Sequence, residues 1–410
     1  MINLLKYSAC FYSVRYALEI TTIAIPLSVA TVSAQVPDND VSFRKVHIWD
    51  AFYTEASTIG DVNKDGKLDI IAGARWFEAP DWKAHEIWQH KRFDYTKGYS
   101  DSFLNFMTDV NEDGWPDLIN FDFPGKEVYW FENPKGADVL WKRFLIDSTA
   151  FNESPMMVDV DGNGKEDLVF ANEKSGMMNW WSSTVKSRKV SWKANVISER
   201  KSKEAGMYSH GLGWGDVNGD SIRDVLITGG WWEAPKDMRS TPWKFHKADL
   251  GYPCSQMHTY DLDGDGDNDV ISASAHDFGL WWHEQVRDKE HISFRRHLID
   301  STYSELHSIV LKDVNNDGLP DLITGKRFFA HQGHGPGGMD PAVIYWYELL
   351  KDGKQKPVWV RHLIDDNSGV AIQFEAADMN KDGRLDFAIG NKNGVFYFEQ
   401  HPPRKIAPKD

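Results

Sequence analysis

One nine-residue acidic pattern recurs seven times along the 410 residues, and it constrains the fold more than any other feature. The first copy reads Asp61-Val-Asn63-Lys-Asp65-Gly66-Lys-Leu-Asp69. The second places Asp109, Asn111, Asp113 and Asp117 at positions 1, 3, 5 and 9, and the third Asp159, Asp161, Asn163 and Asp167. Asp216, Asn218, Asp220 and Asp224 make the fourth, and Asp261, Asp263, Asp265 and Asp269 the fifth. Asp313, Asn315, Asp317 and Asp321 follow, then Asp378, Asn380, Asp382 and Asp386. Successive first aspartates lie 48, 50, 57, 45, 52 and 65 residues apart. That period suits a repeat of four short strands with their loops.

The surroundings repeat as well. An apolar stretch precedes each loop, as in Gly211-Leu-Gly-Trp-Gly215, and a second follows, as in Val225-Leu-Ile-Thr228. An aromatic segment closing on glutamate comes next: Trp76-Phe-Glu78, Trp130-Phe-Glu132, Trp231-Trp-Glu233, Trp346-Tyr-Glu348 and Phe396-Tyr-Phe-Glu399. A basic-apolar segment completes the unit, as in Arg143-Phe-Leu-Ile-Asp147 and Arg361-His-Leu-Ile-Asp365. Alternation and β-branched or aromatic content predict strands throughout, with no sustained helical period. The last repeat lacks its basic-apolar segment, whereas an orphan one, Phe43-Arg-Lys-Val-His-Ile-Trp-Asp50, precedes the first loop. The expected architecture is an all-β, seven-bladed β-propeller of four-stranded blades over residues 35–403. Its N-terminal strand would complete the last blade, leaving no free sheet edge.

Oxygen ligands at alternate positions of a tight turn converge on one centre, and Ca²⁺ takes six to eight of them. Positions 1, 3, 5 and 9 offer side chains, position 7 a carbonyl, and glycine at position 6 permits the bend. Ser221 replaces that glycine in the fourth copy, which predicts strain there. Asp, Asn and Gly also favour ordinary turns, but seven copies with an invariant ninth aspartate point to a cation. The formal charge of −15 fits many carboxylates awaiting cations and excludes the basic stripe of a nucleic-acid surface. Ligand at a thousand times its dissociation constant stabilises a protein by about 4 kcal/mol per site. The calcium role expected here is structural.

Residues 1–34 read as a signal peptide: Lys6 and Arg15 precede an apolar run from Ile20 to Val32, and Val32-Ser33-Ala34 suits cleavage. The run is short for a membrane span, so a secreted or periplasmic chain is expected, with a tail over 404–410. Cys10 would leave with the leader, and Cys254 would stand without a disulfide partner.

The loops with their flanking strands resemble the FG-GAP/VCBS-type repeats of integrin-like calcium propellers over about residues 43–400. Ser209-His210-Gly-Leu-Gly-Trp-Gly-Asp216, Gly230-Trp-Trp-Glu233 and Thr324-Gly-Lys-Arg-Phe-Phe-Ala-His-Gln-Gly-His334 are similar to bacterial propellers like the propeller domain of aldos-2-ulose dehydratases. Those are sugar-processing lyases. The resemblance implies a carbohydrate substrate or ligand, although the cupin domains of that enzyme have no counterpart here.

If each loop joins a blade's first two strands, the connections on the opposite face form the mouth of the central channel. Glu55, Glu153, His210 and His307 stand six residues before the first aspartate of their repeats, and Gln256 and Gln373 one place later. Tyr99, Tyr208, Tyr252 and Tyr303 lie in connections between repeats. Arg75, Glu173, Lys174, His276, Asp277, Lys326, Arg327, His331 and His334 lie between second and third strands, and the glycine-rich stretch 326–341 suits a lid. A lone histidine is usually a satisfied loop residue, but histidines at equivalent positions of two repeats predict a site.

The chemistry expected is proton abstraction beside a carbonyl followed by β-elimination, on a uronate or keto-sugar. His210 or His307 would be the base, Tyr208 or Tyr303 the proton donor, and Lys326 with Arg327 the clamp on the developing enolate. His276, His331 and His334 join the catalytic candidates. Glu55, Arg75, Glu153, Lys174, Gln256 and Gln373 are candidates for substrate binding. Trp76 and Trp231 would stack on a sugar, although the tryptophan-rich strands read first as core. In a variant, Zn²⁺ sits on His210, His307 and a glutamate with one position open. The rival expectation is a non-catalytic glycan- or protein-binding propeller. His85-Glu86 is not a zinc-protease motif, since Gln89 stands where the second histidine belongs. Chelation should lower the melting temperature steeply in a thermal scan; an unchanged transition would remove the calcium reading.

Overall fold

The computed structural model describes residues 41–402, except 91, 255, 290 and 355. The expected signal peptide, Cys10 and the tail 404–410 lie outside the described residues. The described chain is all-β, and its helical content is two short 3₁₀ turns, Lys203–Ala205 and Ala330–Gly333. Among these residues no helix is long and apolar enough to cross a membrane.

Each acidic loop joins the first two strands of an antiparallel set of four. Around the first loop, Thr58–Gly60 pairs with Asp69–Ala72, then Arg75–Glu78, then Lys83–Glu86. Around the fourth the order is Leu212–Gly215, Asp224–Ile227, Gly230–Glu233 and Lys244–Lys247. The expected aromatic and basic-apolar segments form the third and fourth strands of the sixth set, Ile344–Lys351 and Pro357–Asp365. Around the last loop, Glu375–Ala377, Asp386–Asn391 and Gly394–His401 are joined by Ser42–Trp49 from the other end of the chain. Ser42 lies opposite His401 and Phe43 opposite Gln400.

The ninth aspartate staples its set together in every set but the third, where Asp167 accepts the Val160 N–H of its own loop at 3.1 Å. In the first set Asp69 Oδ2 accepts the Val62 N–H at 3.0 Å and Oδ1 accepts the Ala79 N–H at 2.9 Å. One carboxylate thus ties the loop to the end of the third strand. Asp224 repeats this with Val217 and Ala234 at 3.0 and 2.9 Å, and Asp321 with Val314 and Leu349 at 3.0 and 2.8 Å. Burial pushes Asp69, Asp117, Asp167, Asp224, Asp269 and Asp321 up to about 7, against these backbone bonds.

Packing between sets is aromatic. Trp180, Trp232 and Trp243 share one buried cluster spanning the third and fourth sets. Third-strand tryptophans stack flat on fourth-strand imidazoles, Trp76 on His85 at 4.2 Å and Trp231 on His246 at 4.7 Å. Both tryptophans are therefore core, and neither presents a face to a sugar. First strands of several sets line a cavity of about 390 Å³ that includes Leu104, Met156, His258, Ile309 and Phe374.

The loop backbone explains the glycines. Position 6 is left-handed in every copy, φ being +86° at Gly66 and +88° at Gly318, and Ser221 occupies the same region at +69°. A side chain there meets the following carbonyl and costs about 1–2 kcal/mol. Ser221→Gly should accordingly stabilise the protein by about 1 kcal/mol, read as a higher denaturant midpoint at saturating calcium. A lowered midpoint would show that the Ser221 side chain contributes a bond of its own.

Candidate metal and catalytic site

Connections at the strand ends away from the acidic loops bring four donors together. Ligand atoms of Glu153, His210, His276 and His307 all lie within 4.8 Å of one another. Glu153 and His210 come from adjacent sets, which the Glu153 N–H bond to the Ser209 carbonyl ties together at 3.1 Å. His210 and His307 are buried, and the Glu153 side chain is 12% exposed.

The tautomers follow from the partners. His210 Nδ1 lies 2.5 Å from the Tyr208 carbonyl and His307 Nδ1 3.2 Å from the Glu305 carbonyl. A carbonyl only accepts, so each Nδ1 carries a proton, and in the neutral form each ring turns an Nε2 lone pair inward. His210 Nε2 then sits 3.1 Å from Glu153 Oε2, a lone pair against a carboxylate unless a proton or cation lies between them. His307 Nε2 is buried without a hydrogen-bond partner. Burial, with Arg327 and the neighbouring imidazoles, lowers His307 well below its ordinary value, and burial with His210 pushes His276 down to about 4. Imidazoles and a carboxylate are the donor set of a transition-metal centre such as Zn²⁺. Burial opposes the charge on Glu153, but a protonated His210, with Arg327 and His276, holds it below the usual carboxylate range.

A charged shell borders this cluster. His331 stands edge-on to His276 at 4.6 Å, with Nδ1 3.3 Å from Glu305 Oε1. The other Glu305 oxygen accepts from Lys326 Nζ, and both residues are buried. Arg327 donates to Glu55 Oε2 at 2.6 Å and lies over the Tyr99 ring at 5.4 Å. Tyr208, Glu305, Phe329, His331 and Gln332 all adopt left-handed backbone. Strain of this kind at non-glycine residues gathers at functional sites.

Several sequence-based assignments change. Lys326 and Arg327 are each buried against a carboxylate, so they brace the site and hold no free charge for an enolate. Tyr303 is buried in the core with its hydroxyl 2.9 Å from that of Tyr347, away from the histidines. Gln373 spends both amide ends on the Asn105 backbone at 2.9 and 2.8 Å. Gln256 likewise bonds the Ile309 N–H and the Ile372 carbonyl, at 3.3 and 3.1 Å. These glutamines hold first strands in place, because a side-chain amide completes backbone pairs that diverging strands leave open. Arg75 pairs with Glu86 at 2.8 Å and lies over Trp49, and Lys174 and His334 are in surface turns outside the cluster. The 326–341 stretch is packed down: a Cβ at Gly335 would fall 2.3 Å from Glu305 Oε1. Tyr208 remains at the rim, 45% exposed.

Two residues escaped sequence reasoning. Glu305 lies two places before His307, a position where other repeats carry Tyr53 and Tyr208. Lys392 lies in the last set's turn between second and third strands, equivalent to the turns of Arg75 and Lys326, and that equivalence was the available signal. Its amine is buried over the Tyr99 ring at 4.3 Å, 3.4 Å from the Phe329 carbonyl. Among the described residues no carboxylate pairs with it, and burial pushes it down to about 8.

In the acidic loops, carboxylates of Asp159, Asp161 and Asp167, and of Asp261, Asp263 and Asp265, gather within 4.8 Å. Elsewhere asparagine fills position 3, as in Asn63, Asn111, Asn218, Asn315 and Asn380. Asp61 Oδ1 and Asp161 Oδ1 are buried without a partner, so an all-oxygen donor set with lone pairs to spare fits a hard cation.

Two segments, residues 109–170 and 261–324, match the family model of the FG-GAP-like repeat. They contain the second, third, fifth and sixth acidic loops. No curated protein matches the chain. Among solved structures, an Agrocybe aegerita lectin that recognises non-reducing terminal N-acetylglucosamine is 15% identical with a TM-score of 0.49, covering 88% of this chain and 86% of the lectin. Rhamnogalacturonan lyase YesW is 13% identical with a TM-score of 0.43, over 85% of this chain and 71% of the lyase. The Photorhabdus luminescens Tc holotoxin pore is 14% identical with a TM-score of 0.36, over 72% of this chain and 14% of the toxin chain.

Truncating Glu55 to alanine would leave the Arg327 charge buried and uncompensated. We expect a loss of about 3–5 kcal/mol in urea unfolding; an unchanged midpoint would mean that Arg327 has a second counter-ion.

Proposed function

We propose that the chain is a secreted or periplasmic carbohydrate-active lyase or dehydratase built on a closed seven-bladed β-propeller. Each acidic loop would hold structural Ca²⁺, and the reaction would occur at the opposite face. The closed ring is supported by contacts between successive sets: Leu212–Gly215 pairs in parallel with Gln256–Tyr260, Arg327 bridges Val370, and Ala56 bridges Gln373. The calcium reading is supported by the FG-GAP-like segments and by the partnerless loop oxygens.

One observation carries the catalytic reading: Glu153, His210, His276 and His307 offer four ligand atoms within 4.8 Å at a protein face lined by buried charge. These residues would hold a divalent ion such as Zn²⁺, which supplies a Lewis acid for a carbonyl or carboxylate oxygen of the substrate. His331 is the base. Its Nδ1–H faces Glu305, which leaves Nε2 free to accept the proton α to the carbonyl, and its side chain is 32% exposed. The electron pair released at that carbon passes into the enolate and then expels the β-oxygen. Tyr208 at the rim donates a proton to that leaving oxygen. Lys392, a buried cation beside Tyr99 for which no carboxylate partner is found among the described residues, offsets the substrate's negative charge.

Incubation with uronate-containing or 3-keto glycosides should generate an unsaturated product seen as new ultraviolet absorbance. His331→Ala should abolish it with bound metal retained. His307→Ala should lower the transition-metal content by about one ion per chain. Undiminished turnover in both variants would sink the assignment, and glycan binding without any unsaturated product would favour the binding-module alternative.

A further inference from the structure

A chain of contacts runs from the outer strand of several sets to their acidic loops. In the first set, His85 Nε2 lies 2.9 Å from Glu78 Oε2, and Glu78 Oε1 accepts from Asn63 Nδ2 at 3.1 Å. The sixth set repeats this: His362 to Glu348 at 3.1 Å, then Asn315 Nδ2 to Glu348 Oε1 at 3.2 Å. Asn111 donates to Glu132 at 3.3 Å in the second set, and Asn380 to Glu399 at 3.4 Å in the last. In each case the asparagine occupies position 3 of the loop, and the glutamate closes the aromatic strand.

The chemistry of the amide gives these contacts a purpose. An asparagine presents either an oxygen or an NH₂ to the loop centre, and only the oxygen ligates a cation. A carboxylate only accepts, so it holds the NH₂ outward and leaves Oδ1 facing inward. That oxygen already takes the N–H of position 5 in all four sets, from Asp65, Asp113, Asp317 and Asp382, at 3.0, 2.9, 3.0 and 3.0 Å. The fourth set reaches the same polarity through Asp220, which accepts from Asn218 Nδ2 at 3.2 Å. The fifth keeps Glu284 beside Asp263, but the third set lacks both the position-3 asparagine and the glutamate. Its position 3 is Asp161, whose two oxygens are alike and need no orientation, and Ser182 stands where the other sets have glutamate.

We propose that Glu78, Glu132, Glu348 and Glu399 are positioning residues for the calcium loops, each fixing the amide polarity of its position-3 asparagine. The inference rests on the calcium reading of the loops. Contacts beyond the ligand shell typically alter metal affinity by about 10–100-fold.

The test is a calorimetric calcium titration of the full chain, its Glu78→Ser variant, and the Asn63→Asp/Glu78→Ser double variant that copies the third set. Glu78 is 35% exposed, so its replacement leaves the core intact. Glu78→Ser should weaken one ion by about 10-fold or more, and the double variant should restore it, since aspartate has no amide to misorient. A Glu78→Ser isotherm identical to wild type overturns the inference. So does a weakened isotherm that Asn63→Asp fails to rescue, because a merely structural glutamate gives that result. Wild-type protein that takes up no calcium overturns the calcium reading itself, and this inference with it.

Discussion

The buried ninth aspartate is the interaction on which the rest of the structure depends. Its carboxylate accepts one backbone N–H from its own loop and another from the end of the third strand, as Asp269 does from Leu262 and Gln285 at 3.1 and 2.8 Å. Loop and third strand therefore keep one fixed relation in every set but the third, where Asp167 bonds its own loop. Backbone bonds alone do not offset the burial of the charge, which is why these groups are pushed up towards neutrality. A cation in each loop, as proposed, would reverse that balance, and folding and metal binding would then become one equilibrium.

Fixing one end of each set frees the other end to vary. The connections at that far end are irregular, carry left-handed residues, and bury charged pairs such as Lys326 with Glu305 and Arg327 with Glu55. Buried ion pairs contribute little net stability. Here they hold His331 and the imidazole cluster in one geometry. The Trp–His stacks serve the opposite end: His246 and His297 each put Nε2 on the glutamate that closes the third strand, at 2.5 and 2.6 Å.

Much of the fold was legible because its signals are local. Turn residues at fixed spacing mark each loop, and alternation marks the strands around it. The orphan segment 43–50 announced its own partner, since Gly394–His401 lacked one. Part of the site was legible for the same reason, as Glu153, His210 and His307 share one repeat position. The misjudged residues share another cause. Trp76, Trp231 and Tyr303 have amphipathic side chains that read alike on a surface or in a core, and neighbouring sets decided for the core. Gln256 and Gln373 resembled ligand-facing amides, yet their bonds go to strands far away in sequence.

The sequence by itself determined the all-β class, the repeat period and the donor types in each loop, because each depends on residues within a few positions of one another. Only the tertiary structure decided which charges are already paired, which imidazole nitrogens point inward, and that Glu305 and Lys392 border the histidine cluster. Those properties depend on contacts between residues hundreds of positions apart, such as Arg327 with Glu55, and no local pattern encodes them.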